Sequence, residues 1–169
     1  MTTTAKKERQ IVLFKLNNEL YGLDIATVRE IIRMQRITRV PKAPIFVEGV
    51  INLRGKVIPI INMKKRFGLN ATEENQENCI VVVDIKGETI GIIVDAVTEV
   101  MQIPENTIEP ASEIMVTADS EYLQGIAKVD EKMIILLDLE KSLNKENLSD
   151  AHRITQVIQE EKQEETAAS

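Results

Sequence analysis

The chain of 169 residues has no tryptophan, one cysteine and one histidine, and only 3% of its residues are aromatic. Each shortage excludes something. The lone Cys79 cannot form an internal disulfide, and with His152 as the only histidine there is no Cys/His zinc site. Few aromatic rings leave no platform for stacked nucleic-acid bases. Basic residues number 21 against 27 acidic ones, a net charge of −6, the reverse of the basic face that nucleic acid requires. No stretch approaches the roughly 18 apolar residues of a membrane-crossing helix. The N-terminus, MTTTAKKERQ, has no apolar signal core. The expectation is a cytoplasmic protein that neither binds nucleic acid nor inserts into a membrane.

What is present is a repeat. Residues 11–33 align without a gap on residues 80–102, with Ile11/Ile80, Val12/Val81, Glu19/Glu88, Gly22/Gly91, Val28/Val97 and Glu30/Glu99 identical. Residues 48–67 then align on 124–143, with Gly49/Gly125, Lys56/Lys132, Ile58/Ile134 and Lys65/Lys141 identical. The offset grows from 69 to 76 between the two blocks. The pattern predicts an N-terminal extension over 1–10, one unit over 11–68, a polar linker over 69–78 and a second unit over 79–143. A C-terminal helix over 144–161 and a charged, disordered tail over 162–169 complete the chain.

Within a unit, β-rich runs flank Asn17-Asn18 and Lys86-Gly87, and Arg54-Gly55 and Asp130-Glu131 occupy a common turn. Such pairs suit the positive φ angles of two-residue hairpins. Residues 26–33 have helix-like spacing, and 37–40, 49–53 and 56–61 read as strands. Pro59 places its strand at an edge or a bulge. Asn62 and Asp138 are positioned to cap short helices. Five short strands in about 60 residues favour a small barrel, because closure removes open edges. The fold class is mainly β: two tandem five-stranded barrels with short helices and a C-terminal helix.

Catalytic candidates are scarce. His152 falls in the terminal helix, and Cys79 has no histidine positioned to activate it. No phosphate-binding glycine loop, calcium-loop spacing or paired acid/base carboxylates occur. The sequence therefore points to no catalytic residue, no metal and no cofactor. Where the copies agree, folding explains the agreement. Where they differ at a polar position, another reason is needed. Arg54 is the clearest case, since its counterpart is Asp130. Its guanidinium suits an interface, or a pair with Glu30 inside the first unit, or both.

Residues 37–68 contain Gly49-Val50-Ile51-Asn52-Leu53-Arg54-Gly55 followed by Ile58-Pro59-Ile60. Upstream stand Tyr21-Gly22-Leu23-Asp24-Ile25 and Val28-Arg29-Glu30-Ile31, and the second unit has Gly91-Ile92-Ile93-Val94-Asp95 and Glu121-Tyr122-Leu123-Gln124-Gly125. With these motifs, residues 10–145 resemble the CheW family of chemotaxis coupling proteins. Asn62 stands where the family usually has Asp. The resemblance implies two SH3-like barrels and no enzymatic activity. It implies a bridge between the cytoplasmic tip of chemoreceptors and the regulatory domain of the histidine kinase CheA. Carried over by position, Val28, Glu30, Ile31 and Arg54 are receptor-side candidates, and Ile37, Val40, Phe46 and Gly49 are kinase-side candidates. An adaptor in another chemosensory-type pathway, a structural oligomer, and an enzyme with a site between the barrels are the rival readings.

Overall fold

A computed structural model describes residues 7–69, 76–110 and 123–142. The expected C-terminal helix, the tail, His152 and most of the linker lie outside these residues. The elements are β1 (Glu8–Leu16), β2 (Glu19–Asp24), β3 (Val28–Arg33), β4 (Val47–Leu53), β5 (Lys56–Asn62), α1 (Met63–Arg66), β6 (Cys79–Ile85), β7 (Glu88–Val94), β8 (Ala96–Pro104), β9 (Ile108–Pro110), β10 (Leu123–Val129), β11 (Lys132–Leu137) and α2 (Leu139–Ser142). They form two sheets, ordered β8-β1-β2-β11-β10-β9 and β3-β6-β7-β5-β4.

The chain is mainly β, as its sequence indicates, but the sheets do not follow the repeat boundaries. Hairpin β1–β2 leaves the first copy and joins β8 to β11, while hairpin β6–β7 leaves the second copy and joins β3 to β5. The division into 11–68 and 79–143 describes the sequence repeat, not the spatial halves. The two copies carry the same ladder-forming pattern, so either copy's strands satisfy either hairpin, and periodicity cannot tell which does. The exchange preserves register. Gly22 stands beside Leu136 in the parallel pair β2–β11, and Gly91 stands beside Ile60 in the parallel pair β7–β5. Bulges recur too, at Leu13/Phe14 opposite β8 and at Val28/Glu30 opposite β6.

Four two-residue turns close the hairpins with positive φ at both positions: Asn17-Asn18, Arg54-Gly55, Lys86-Gly87 and Asp130-Glu131. This is the turn hand that matches strand twist. Asn62 and Asp138 cap α1 and α2, their Oδ1 atoms accepting the amides of Lys65 and Lys141 at 3.2 Å each. The helix-like spacing of 26–33 resolves differently. Ile25–Thr27 is a single 3-10 turn capped by Asp24, and Val28–Arg33 is strand β3. Its alternating exposure is the strand period of two, which a short apolar set can mimic. Residues 37–40 supply only a bridge between Thr38 and Val50. Pro59 sits in an interior strand rather than an edge, and the β4–β5 ladder shifts register beside it, between Val47 and Gly49. The ladder to β7 begins at Ile60, one residue beyond the proline.

Three apolar clusters hold the sheets. Ile11, Leu13, Ile134 and Leu136 fill one sheet, and their repeat partners Ile80, Val82, Ile58 and Ile60 fill the other. Between the sheets, Phe14, Leu16, Tyr21 and Leu23 meet Val81, Val83, Ile85 and Ile92. Strands β1 and β6 thus bury both faces, which is why they read as unbroken apolar runs rather than alternating ones. Tyr21 stacks between Phe14 and Phe67, with ring centroids 5.9 and 6.3 Å away.

Candidate functional site

The turn Arg54-Gly55 projects beyond β4 and β5, held by Asn52, whose Oδ1 accepts the Gly55 amide at 2.8 Å. This arrangement fixes the left-handed backbone of Arg54 and leaves its side chain 70% exposed. The bulge on β3 sets Glu30 opposite Val82. There the Glu30 carboxylate accepts a charge-assisted hydrogen bond from the Arg54 guanidinium. The contact holds the guanidinium pKa above its ordinary value. The pair expected from sequence therefore forms, and it lies at the surface.

The pair belongs to a groove of about 300 Å³. Leu53, Ile58 and Val82 form its apolar floor, and Arg29, Lys56 and Thr89 join Glu30 and Arg54 around the rim. The Thr89 hydroxyl accepts from an Arg29 guanidinium nitrogen at 2.9 Å and lies 3.4 Å from the Lys56 ammonium. Sequence reasoning did not find these three rim residues. Arg29 is hidden by the helix-like reading of its segment. Lys56 recurs as Lys132 and so reads as a folding position. Thr89 belongs to the other repeat and arrives only through the exchanged hairpin, so no local motif could reveal it.

The other receptor-side candidates stand apart. Val28 is half-buried against the central cluster. Ile31 is 45% exposed on β3, one residue out of phase with Glu30 and so on the opposite face. The kinase-side candidates divide as well. Ile37 packs on the core of the β3–β7 sheet, and its Cγ2 would lie 2.8 Å from a Cβ added at Gly49. Gly49 has φ of 148°, and that Cβ would lie 2.1 Å from the Thr38 carbonyl oxygen. Its lack of a side chain lets segment 37–38 cross β4. Gly125 does the same for Glu109 in the second copy. Val40 accepts from the Ala43 amide at 3.4 Å. Phe46 packs on the central cluster instead, beneath the Arg66 guanidinium, 5.7 Å from its ring centre. The structure brings Ile37 and Gly49 together and places Phe46 against a different core.

The two helix ends also differ. At α1, the Lys64 ammonium lies 2.8 Å from the Asp95 carboxylate, with the side chains 10% and 14% exposed. Asp95 also accepts the Asn17 amide at 2.7 Å, and Glu48 pairs with Lys65 at 2.5 Å. At α2, a groove of about 300 Å³ carries Asp24, Asp84, Asp138 and Glu140. Arg9 bridges its margin, donating to Gln124 at 2.8 Å and to Asp24 at 3.4 Å. Among the described residues no three potential ligands cluster to hold a metal. Cys79 is half-buried, and burial pushes its thiol pKa up, away from nucleophile chemistry. No helix among the described residues is long and apolar enough to cross a membrane.

Residues 10–147 match the CheW-like domain family. The chain is 36% identical over 141 residues to the chemotaxis protein CheW of Klebsiella aerogenes, spanning 83% of this chain and 85% of that protein. It is 30% identical over 151 residues to the chemotaxis protein CheW of Bacillus subtilis, spanning 89% and 97%. Among solved structures, the scaffolding protein TtCheW from Thermoanaerobacter tengcongensis superposes with a TM-score of 0.77 at 46% identity, covering 83% of this chain and 96% of that one.

Proposed function

The chain belongs to the CheW-like family, and from that premise we propose that it is a non-enzymatic adaptor coupling chemoreceptors to the histidine kinase CheA in chemotaxis signalling. The observation that carries this reading is the span of the family match, residues 10–147, which takes in both repeats and both sheets. The receptor's cytoplasmic tip docks at the groove of Glu30 and Arg54; Val28 anchors the same strand on the central cluster, and Ile31 offers a separate apolar contact on the opposite face. The regulatory domain of CheA docks on the segment of Ile37, Val40, Phe46 and Gly49, where Ile45 is 80% exposed. Gly49 acts there by shaping the crossing rather than by contact. The adaptor works in the cytoplasm, reaching receptor arrays through its partners.

The mechanism is coupling of equilibria. An adaptor that grips receptor and kinase together lets ligand occupancy bias the kinase between active and inactive populations, in proportion to its differential contacts with the two states. Each grip can be modest, because joining the sites raises their effective concentration.

Calorimetric titration with a CheA regulatory domain and with a receptor cytoplasmic fragment tests the proposal. Saturable binding to both is expected. Arg54→Ala should weaken receptor-dependent kinase activation about tenfold while leaving the unfolding midpoint unchanged, as expected for an exposed pair. Binding to neither partner by the folded chain would remove the adaptor reading. Unchanged activation in Arg54→Ala would remove Arg54 from the site.

A further inference from the structure

The groove at Glu30 and Arg54 has a charge of its own, in a chain whose net charge is −6. Its rim holds three cations, Arg29, Arg54 and Lys56, against one carboxylate, Glu30. That carboxylate is already engaged by Arg54. Arg29 and Lys56 converge on the neutral Thr89 hydroxyl and form no ion pair among the described residues. Two cations therefore face an open groove with an apolar floor, whose one carboxylate is taken by Arg54.

The duplicated half supplies a control. By repeat position, Thr98 replaces Arg29, Glu99 replaces Glu30, Asp130 replaces Arg54 and Leu20 replaces Thr89, while Lys132 keeps the place of Lys56. The same backbone frame thus carries two carboxylates against one cation. Folding does not require the cationic rim, since the equivalent turn and bulge form without it.

We propose that this groove takes an amphipathic receptor segment bearing carboxylate side chains, with its apolar face on Leu53, Ile58 and Val82 and a carboxylate received between Arg29 and Lys56. This rests on the adaptor reading and names the chemistry of the partner at that site. The segment is acidic because only an anion satisfies both free cations without adding like charge, and amphipathic because the floor is apolar. It also gives specificity: a basic segment meets Arg29 and Lys56 with like charge, and the counterpart surface at Glu99 and Asp130 repels the acidic one.

Titration of the receptor cytoplasmic fragment into the full chain tests this, at about 50 mM and about 300 mM salt, a range over which exposed charges become screened. Wild type should weaken severalfold between the two. Lys56→Glu and Arg29→Glu should each lose about tenfold at low salt and much less at high salt. Lys56→Arg should bind like wild type, and so should Lys132→Glu. Circular dichroism and a urea midpoint equal to wild type establish that the variants fold, and the salt dependence of wild type needs no variant. Receptor binding that ignores both salt and the two reversals would overturn the acidic partner and leave the adaptor standing. Failure of the wild-type chain to bind the fragment would overturn both.

Discussion

The two sheets share the order of five strands, with β9 added to one of them, and share register, bulges and hairpin hand, yet their equivalent surfaces carry opposite chemistry. At the Arg54 turn the rim is cationic, and at the matching Asp130 turn it is anionic. At α1 a lysine and an aspartate close the end of the molecule, while at α2 glutamate stands in the lysine's place and an acidic groove stays open. A duplicated frame holds the demands of folding constant across its copies. What survives in both copies, such as Gly49 and Gly125, builds the frame. What differs at an exposed polar position is free to serve a partner.

The comparison breaks most severely at the shared glycines. Gly49→Ala should cost about 4 kcal/mol, combining a disfavoured φ with overpacking against a carbonyl. Gly125→Ala should cost about half as much, since its added Cβ meets the Glu109 oxygen at 2.5 Å rather than 2.1 Å. Urea unfolding of the two variants reads the difference directly. Equal costs would mean that neither the φ of Gly49 nor its closer carbonyl sets the two positions apart.

Next come the helix ends. Asp95→Ala removes the carboxylate that faces the ammonium of Lys64, a residue only 8% exposed, and should cost about 3 kcal/mol. Glu140→Ala removes a charge from an open acidic rim and should stay within about 0.5 kcal/mol. Replacing both partners, as in Lys64→Met with Asp95→Asn, should recover most of the loss, because an absent pair costs less than a broken one.

The hairpin turns sharpen the comparison further. Glu131 holds φ of 67° where the matching turn has Gly55. Glu131→Gly should stabilise the chain by about 0.5–1 kcal/mol, and Gly55→Ala should destabilise it by a similar amount. Thermal unfolding midpoints moving in opposite directions would show that the two turns are the same device with different residues.

The smallest effect concerns Cys79, which stands where the first copy has Gln10. Burial favours its neutral thiol, so between pH 8 and pH 9, roughly where a free thiol ionises, alkylation of the native chain should lag that of the unfolded chain. The sign for stability follows. The raised thiol contributes fully below the free-thiol pKa, and that contribution is lost as pH rises through the folded-state value. Mass spectrometry of iodoacetamide-treated samples reads the lag, and equal rates would contradict the burial.

Much of this was legible. The repeat, the four turns, the caps at Asn62 and Asp138, and the Arg54–Glu30 pair all follow from local residue chemistry, because each is decided within a few positions or by one charge pair. Segment 26–33 was misread, since Val28, Ile31 and Ile32 fit a helical spacing while the strand's period is masked by a bulge. Pro59 lacks a donor, but the ladder to β7 begins one residue later, at Ile60, a boundary that local residue chemistry does not mark. The largest gap was the exchange of hairpins. Copies that resemble each other offer each hairpin two equivalent sets of partners, and nothing in the pattern ranks them. For the same reason the groove was only half visible: Glu30 and Arg54 are near in sequence, but Thr89 and Val82 arrive from the other copy.

The exchanged hairpins also impose an order on biosynthesis. Neither sheet can be completed by the part of the chain that begins it. Strand β1 ends at Leu16, yet its outer neighbour β8 starts at Ala96, and β11, which flanks β2, starts at Lys132. On a ribosome adding about 5–20 residues per second, the first hairpin waits some seconds with both outer edges unpaired. Its docking joins residues far apart along the chain, a topology that slows folding. The nascent chain thus passes through an interval in which an adaptor-to-be is mostly unprotected strand edge, and the last strand to emerge is the one that ends it.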